Sequence, residues 1–80
     1  MFSKELFGQR VLEQRKKSGE TQKVLAQMLG VGDTQITEIE RGRATTSAER
    51  IALICQHYGV SSDYLLGLTD DPVPKYPLDG

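Results

Sequence analysis

A chain of 80 residues with 38% apolar side chains can form one small domain around one modest core, and it holds no run of about 18 apolar residues that could cross a membrane. Its opening, MFSKELFGQR, lacks the cationic start and apolar stretch of a signal peptide, and the one cysteine, Cys55, excludes an internal disulfide framework and any multi-cysteine zinc site; a cytoplasmic protein is expected. A net charge of −1 argues against a nucleic-acid binder if it is taken as an average over the whole chain.

Strand-like alternation and internal repeats are missing, and helical spacing recurs instead. A first helix is predicted over residues 3–18, with Ser3 as N-cap, Phe7 and Val11 on one face, and Gly19 closing it. Thr21 caps a second helix that carries Leu25, Ala26 and Leu29 and ends at Gly30. A third runs from about Asp33 to Arg41, with Ile36, Ile39 and Glu40 on one face and Gly42 as its stop. Thr46 and Glu49 read as a T-x-x-E capping box for a fourth helix. Its inward positions, Ile51, Ile54, Cys55 and Tyr58, follow the i, i+3, i+4, i+7 pattern, and Gly59 ends it. Ser61 opens a short fifth helix through Leu66, stopped by Gly67.

Residues 70–80, DDPVPKYPLDG, hold three prolines and three aspartates. They cannot sustain a helix and read as a linker or loose tail behind a domain of residues 1–69. Five short helices with brief connections make an all-α domain. Charge is uneven along it. Residues 1–20 hold five Lys/Arg against three Glu, residues 21–43 three against three, and residues 44–80 two against five. Any basic face must come from the first 43 residues.

Only Gly30, Val31 and Gly32 separate the second and third helices. So tight a connection forces a large angle between them, with Gly30 free to take positive φ and Val31 filling the corner. Such a pair can brace one helix on a phosphate backbone and present the other to the major groove. With Arg15, Thr21-Gln22, Leu25-Ala26, LGV at 29–31, Ile36, IERG at 39–42, Ser47 and Glu49, and GVSSDYLLG at 59–67 in register, the chain resembles the phage-repressor/Cro class of helix-turn-helix DNA-binding proteins, the xenobiotic-response-element family. The resemblance covers about residues 7–69 and implies a compact five-helix lambda-repressor-like fold.

Position by position, the resemblance implies roles. Thr21 and Gln22 would meet a phosphate at the start of the second helix, whose free N–H groups favour an anion. Asp33, Thr34, Thr37 and Glu38 would read base edges from the third helix. Gln35, Arg41 and Arg43 would contact the backbone, and Arg15 and Glu40 would tie the first helix to the third. The family often dimerises near the fifth helix, here around Tyr64, Leu65 and Leu68. Gly32 departs from the usual Ser/Thr N-cap, Glu20 and Gln14 replace apolar residues, Val24 and Met28 replace polar ones, and Thr46 stands where proline is common.

Asp33 and Glu38 are the departures closest to function. They are either a solvated polar face on a protein that leaves DNA alone, or carboxylates that accept from cytosine N4 and, by repelling phosphates, sharpen the choice of sequence. Val24 and Met28 either fill the gap left by Gln14 and Glu20 or form a docking patch for Val73 and Tyr76 of the tail, or for a partner. Cys55 reads as a small core residue. His57, alone on the outward side of its helix, is assigned no role. No Ser/His/Asp, Cys/His or paired-carboxylate arrangement suggests an enzyme, and no cofactor or metal is implied. The expected function is a sequence-specific transcriptional regulator, a phage or phage-like repressor that binds double-stranded DNA as a homodimer on two half-sites about one helical turn apart. The alternative is a protein-interaction module on the same fold, an antirepressor partner or antitoxin-like protein.

Overall fold

Helices begin in this chain where a small hydroxyl can satisfy a free N–H of the first turn. In the computed structural model, which describes residues 2–76, Ser3 accepts from Leu6 N at 3.0 Å to open α1 (Lys4–Lys17). Thr21 does the same for Val24 N at 3.2 Å at the head of α2 (Gln22–Leu29). Ser61 takes Tyr64 N at 2.9 Å ahead of α5 (Ser62–Leu65). The third helix, α3 (Asp33–Glu40), starts at Gly32 without a side-chain cap, a loss of a few tenths of a kcal/mol. The fourth, α4 (Ala48–Tyr58), is capped by Ser47, which accepts from Arg50 N at 3.2 Å. The expected Thr46–Glu49 box is not formed, because Ser47 offers a capping hydroxyl one position later and Arg50 stands three residues on from it.

The buried side chains come from every helix: Phe7 and Val11 of α1, Leu25, Ala26 and Leu29 of α2, Ile36 and Ile39 of α3, Ile54 and Cys55 of α4, Leu65 of α5. Burial pushes the Cys55 thiol up from its ordinary value, as befits a core residue. Val31 packs half-buried against this cluster, filling the α2–α3 corner. Met28 also packs there, whereas Val24 is 43% exposed, so of that pair only Met28 fills core space.

Two features of the packing carry no signal in the sequence. A Cβ on Gly8 would stand 2.0 Å from the Ile39 carbonyl oxygen. Backbones of α1 and α3 therefore touch there, and only glycine permits it. Arg10 is the second. Its guanidinium lies buried, 4.1 Å over the Tyr64 ring, and donates to Tyr64 O, to Thr69 O at 2.8 Å and to Asp70 Oδ1 at 2.8 Å. It ties α1 to the end of α5, where carbonyls lack helical donors.

This same end bears on two expectations. Leu65 is fully buried and Tyr64 nearly so. A four-residue helix must turn its large apolar side chains inward to be held at all, so of the residues expected at a dimer interface only Leu68, 72% exposed, presents surface. The Pro/Asp-rich segment contacts the domain through residue 76. Asp70 meets Arg10, Pro72 O accepts from Ser61 N at 2.9 Å, and Tyr76 Oη lies 3.0 Å from Ser62 N and 2.8 Å from Ser62 Oγ. Tyr76 is held at α5 rather than at Val24 and Met28. Residues 77–80 lie outside the described residues.

Candidate nucleic-acid interface

The corner between α2 and α3 is made by backbone chemistry. Gly30 adopts φ +71, and Val31 N closes back on Ala26 O at 3.0 Å. This left-handed C-cap releases the chain sideways, so that α3 starts three residues on, at Asp33. Three elements then converge: the N-terminus of α2, the outer face of α3, and the residues that follow α3.

Arg15 and Glu40 organise the convergence. The guanidinium reaches from α1 to place Nε 2.6 Å and Nη2 3.0 Å from the two Glu40 oxygens, and Nη1 donates to Glu20 O at 2.8 Å. Both side chains are largely withdrawn from solvent, 11% and 4% exposed. The hydrogen bond to Glu40 raises the Arg15 pKa despite the opposing effect of burial. Glu40 faces inward. It also accepts from Gln22 Nε2 at 2.9 Å, and Gln22 Oε1 in turn accepts from Thr37 Oγ1 at 3.0 Å. Gln22 and Thr37, expected as separate DNA contacts, are thereby joined to the structural ion pair in one chain of hydrogen bonds. Beside them opens a groove of about 310 Å³ with Leu12, Lys16, Arg41, Gln22 and Thr37 on its walls. Lys16 is exposed at this groove, and its helix-end position gave no indication of it.

On the outer face, Asp33, Thr34 and Gln35 are exposed. Glu38 is not simply outward. Its side chain is 38% exposed, yet Oε2 is buried without a hydrogen bond, and Arg43 Nη1 stands 3.6 Å from it. One carboxylate oxygen is withdrawn from solvent while the rest of the group reaches it. Arg43 is 64% exposed, Arg41 is exposed, and Thr21 is exposed at the start of α2. The face is therefore acidic at its centre and basic at its margins, with Lys16, Arg41 and Arg43 outside Asp33 and Glu38. A cleft of about 440 Å³ lies between α3 and the segment leading to α4, with Glu38 and Arg50 on its walls. Arg50 Nε donates to Leu29 O at 3.3 Å and so braces the end of α2.

His57 has a partner after all. Its Nε2 lies 2.7 Å from Glu20 Oε2, and Tyr58 Oη donates to Glu20 Oε1 at 2.9 Å. Burial alone would raise the Glu20 carboxyl, but the hydrogen bonds from Tyr58 and His57 outweigh it and hold the group below the ordinary glutamate range. Burial and the neighbouring Glu20 push the Tyr58 phenol upward. Glu20 occupies an expected apolar position because α4 supplies two donors for it there. Among the described residues no cluster of His, Cys, Asp and Glu could hold a metal, and no helix is long and apolar enough to cross a membrane.

A family profile described as helix-turn-helix matches residues 11–65. Over 70 residues the chain is 33% identical to the uncharacterized HTH-type transcriptional regulator YobD of Bacillus subtilis (strain 168), with 88% of this chain and 62% of that protein covered. It is 37% identical over 60 residues to the HTH-type transcriptional regulator ImmR of the same organism, with 75% and 47% covered. The chain thus spans less than two thirds of the length of either curated relative. Among solved structures, the P22 c2 repressor in complex with synthetic operator 9T superposes with a TM-score of 0.71 at 33% identity, covering 76% of this chain and 92% of that one.

Proposed function

The chain belongs to the helix-turn-helix family, and from that premise we propose that it is a cytoplasmic transcriptional regulator that binds double-stranded DNA sequence-specifically, as a phage-like repressor acting on a two-fold operator as a homodimer. One observation carries the reading. The outer face of α3 presents Asp33, Thr34 and Gln35 to solvent, while Lys16, Arg41 and Arg43 stand at its margins. Bases are read by short polar groups and phosphates are met by cations, and here the two kinds of group lie in those places.

In this reading the bound duplex lays its major groove along α3. Thr34 and Gln35 supply uncharged partners, and Asp33 and Glu38 accept from base amino groups. Thr21 and Gln22 at the start of α2 meet one phosphate, where N–H groups without helical acceptors favour an anion. Arg41 and Arg43 meet others. The acidic centre penalises close approach to phosphate, so affinity depends on the margins and choice depends on the middle. Two copies related by a two-fold axis would supply the contacts that one domain of this size lacks. The P22 c2 repressor, solved in complex with a synthetic operator, is a precedent for this fold on DNA, and the curated relatives are named as regulators.

The excess of carboxylates over basic residues favours one other reading, a protein-interaction module, with an antirepressor as partner. Binding to duplex DNA across roughly 50–200 mM salt separates the two. DNA binding gives a log affinity that falls linearly with log salt, and Arg43→Ala lowers that slope by about one while weakening all sequences alike. Binding too weak to measure at the lowest salt, or a slope that Arg43→Ala leaves alone, would favour the interaction module or remove Arg43 from the interface.

A further inference from the structure

Hydrogen-bond polarity passes along the chain of contacts that starts at Arg15. A carboxylate only accepts, so the end of the Gln22 amide that lies 2.9 Å from Glu40 must be its NH₂. The other end, Oε1, is then an acceptor, and in its contact with Thr37 Oγ1 at 3.0 Å the hydroxyl can only be the donor. The second contact of Thr37 inside the protein is Asp33 O at 3.2 Å, which is also an acceptor. A hydroxyl has one proton. Whichever of the two takes it, the proton stays within the protein, and the lone pairs are what Thr37 offers at the groove it shares with Lys16 and Arg41.

We propose that the Arg15–Glu40–Gln22 chain makes Thr37 a one-way specificity determinant, an acceptor that selects a base amino group, cytosine N4 or adenine N6, on the strand facing α3. This rests on the reading that α3 enters the major groove. A threonine hydroxyl free to rotate would serve donors and acceptors alike and discriminate little. With its proton committed, it is mismatched against guanine O6 and N7 and thymine O4, which are themselves acceptors. Arg15 and Glu40, both largely withdrawn from solvent, act as positioning residues. Gln22, besides its phosphate, sets the sense of the contact.

Every base pair presents one amino group in the major groove, so pair preference alone cannot reveal which strand Thr37 touches, and base analogues are required. An operator is first recovered from a random duplex library with the wild type, Thr37→Ser and Thr37→Val, each checked for folding by thermal melt. Thr37→Ser should keep the wild-type preference, and Thr37→Val should relax one position per half-site. At that pair, replacing cytosine by 2-pyrimidinone or adenine by purine removes only the amino group. Affinity of the wild type and of Thr37→Ser should fall about fivefold per half-site, the size of one neutral hydrogen bond. Affinity of Thr37→Val should not change beyond the general effect of a weaker pair. A 7-deazapurine at the same pair should affect none of the three differently.

Equal losses in wild type and Thr37→Val on removing the amino group would overturn the inference, as would a selective loss with the 7-deazapurine or a Thr37→Val selection identical to wild type. Each of these leaves DNA reading intact. Failure of the wild type to recover any operator overturns both.

Discussion

Removal of the Glu40 side chain is the perturbation with the largest expected effect on the fold. The carboxylate accepts from Arg15 Nε, Arg15 Nη2 and Gln22 Nε2 and is 4% exposed. In Glu40→Ala the guanidinium, itself 11% exposed, keeps Glu20 O but has lost its counter-charge. Stranding one member of a buried pair costs about 3–5 kcal/mol. A domain of this length has a total stability of about 4–12 kcal/mol. At about 4–8 °C per kcal/mol, the melting temperature should fall by about 12–40 °C. Circular dichroism melts at neutral pH measure it. A double variant, Arg15→Met with Glu40→Leu, separates charge burial from packing. With both charges gone and similar volume restored, it should melt close to the wild type, because apolar replacement of a whole buried pair is commonly neutral or stabilising. A Glu40→Ala melt within about 3 °C of wild type would refute the idea that the pair holds α1 against α3.

Gly8→Ala should destabilise by about 1–3 kcal/mol, since its Cβ would overlap the Ile39 carbonyl and force α1 from α3; denaturant melts read this directly. Acid should weaken the fold through Glu20, whose folded pKa lies below its ordinary value. That contribution is complete above the unfolded value of about 4.3 and is lost as pH falls through the folded one, so Glu20→Gln should show a shallower decline in melting temperature below about pH 4. Glu38→Gln should shift the preferred pair toward A·T by about 1–3 kcal/mol per half-site, because the amide can both donate and accept at adenine. Competition between C- and A-bearing duplexes measures that shift, and unchanged preferences would remove Glu38 from the reading face.

What the sequence made legible was what is local. Ser3, Thr21 and Ser61 cap helices because a hydroxyl bonds an N–H three residues on, and Gly30 and Gly59 stop them because only a residue tolerant of positive φ turns there cheaply. The Arg15–Glu40 pair was found through resemblance and not through spacing. The T-x-x-E spacing points to Thr46, whereas the adjacent Ser47 caps the helix. What escaped was long-range. Arg10 finds its partners 54–60 residues away, His57 meets Glu20 37 residues earlier, and Gly8 matters only because another backbone passes beside it. Tyr64 and Leu65 are expected at an interface by resemblance alone, and their burial depends on how α5 seats on the other helices. At the candidate site, the exposed positions of α3 follow from helical period. The tethering of Gln22 and Thr37 to Glu40 depends on how three helices meet.

Sequence-specific reading by α3 is tested most directly by selection of the wild-type protein on a random duplex library. Enrichment of inverted half-sites with centres about 10 base pairs apart, and a G·C pair at one fixed position in each for Glu38, is the predicted result. A library that emerges without any enriched sequence, at salt low enough for phosphate contacts to hold the complex, would contradict it.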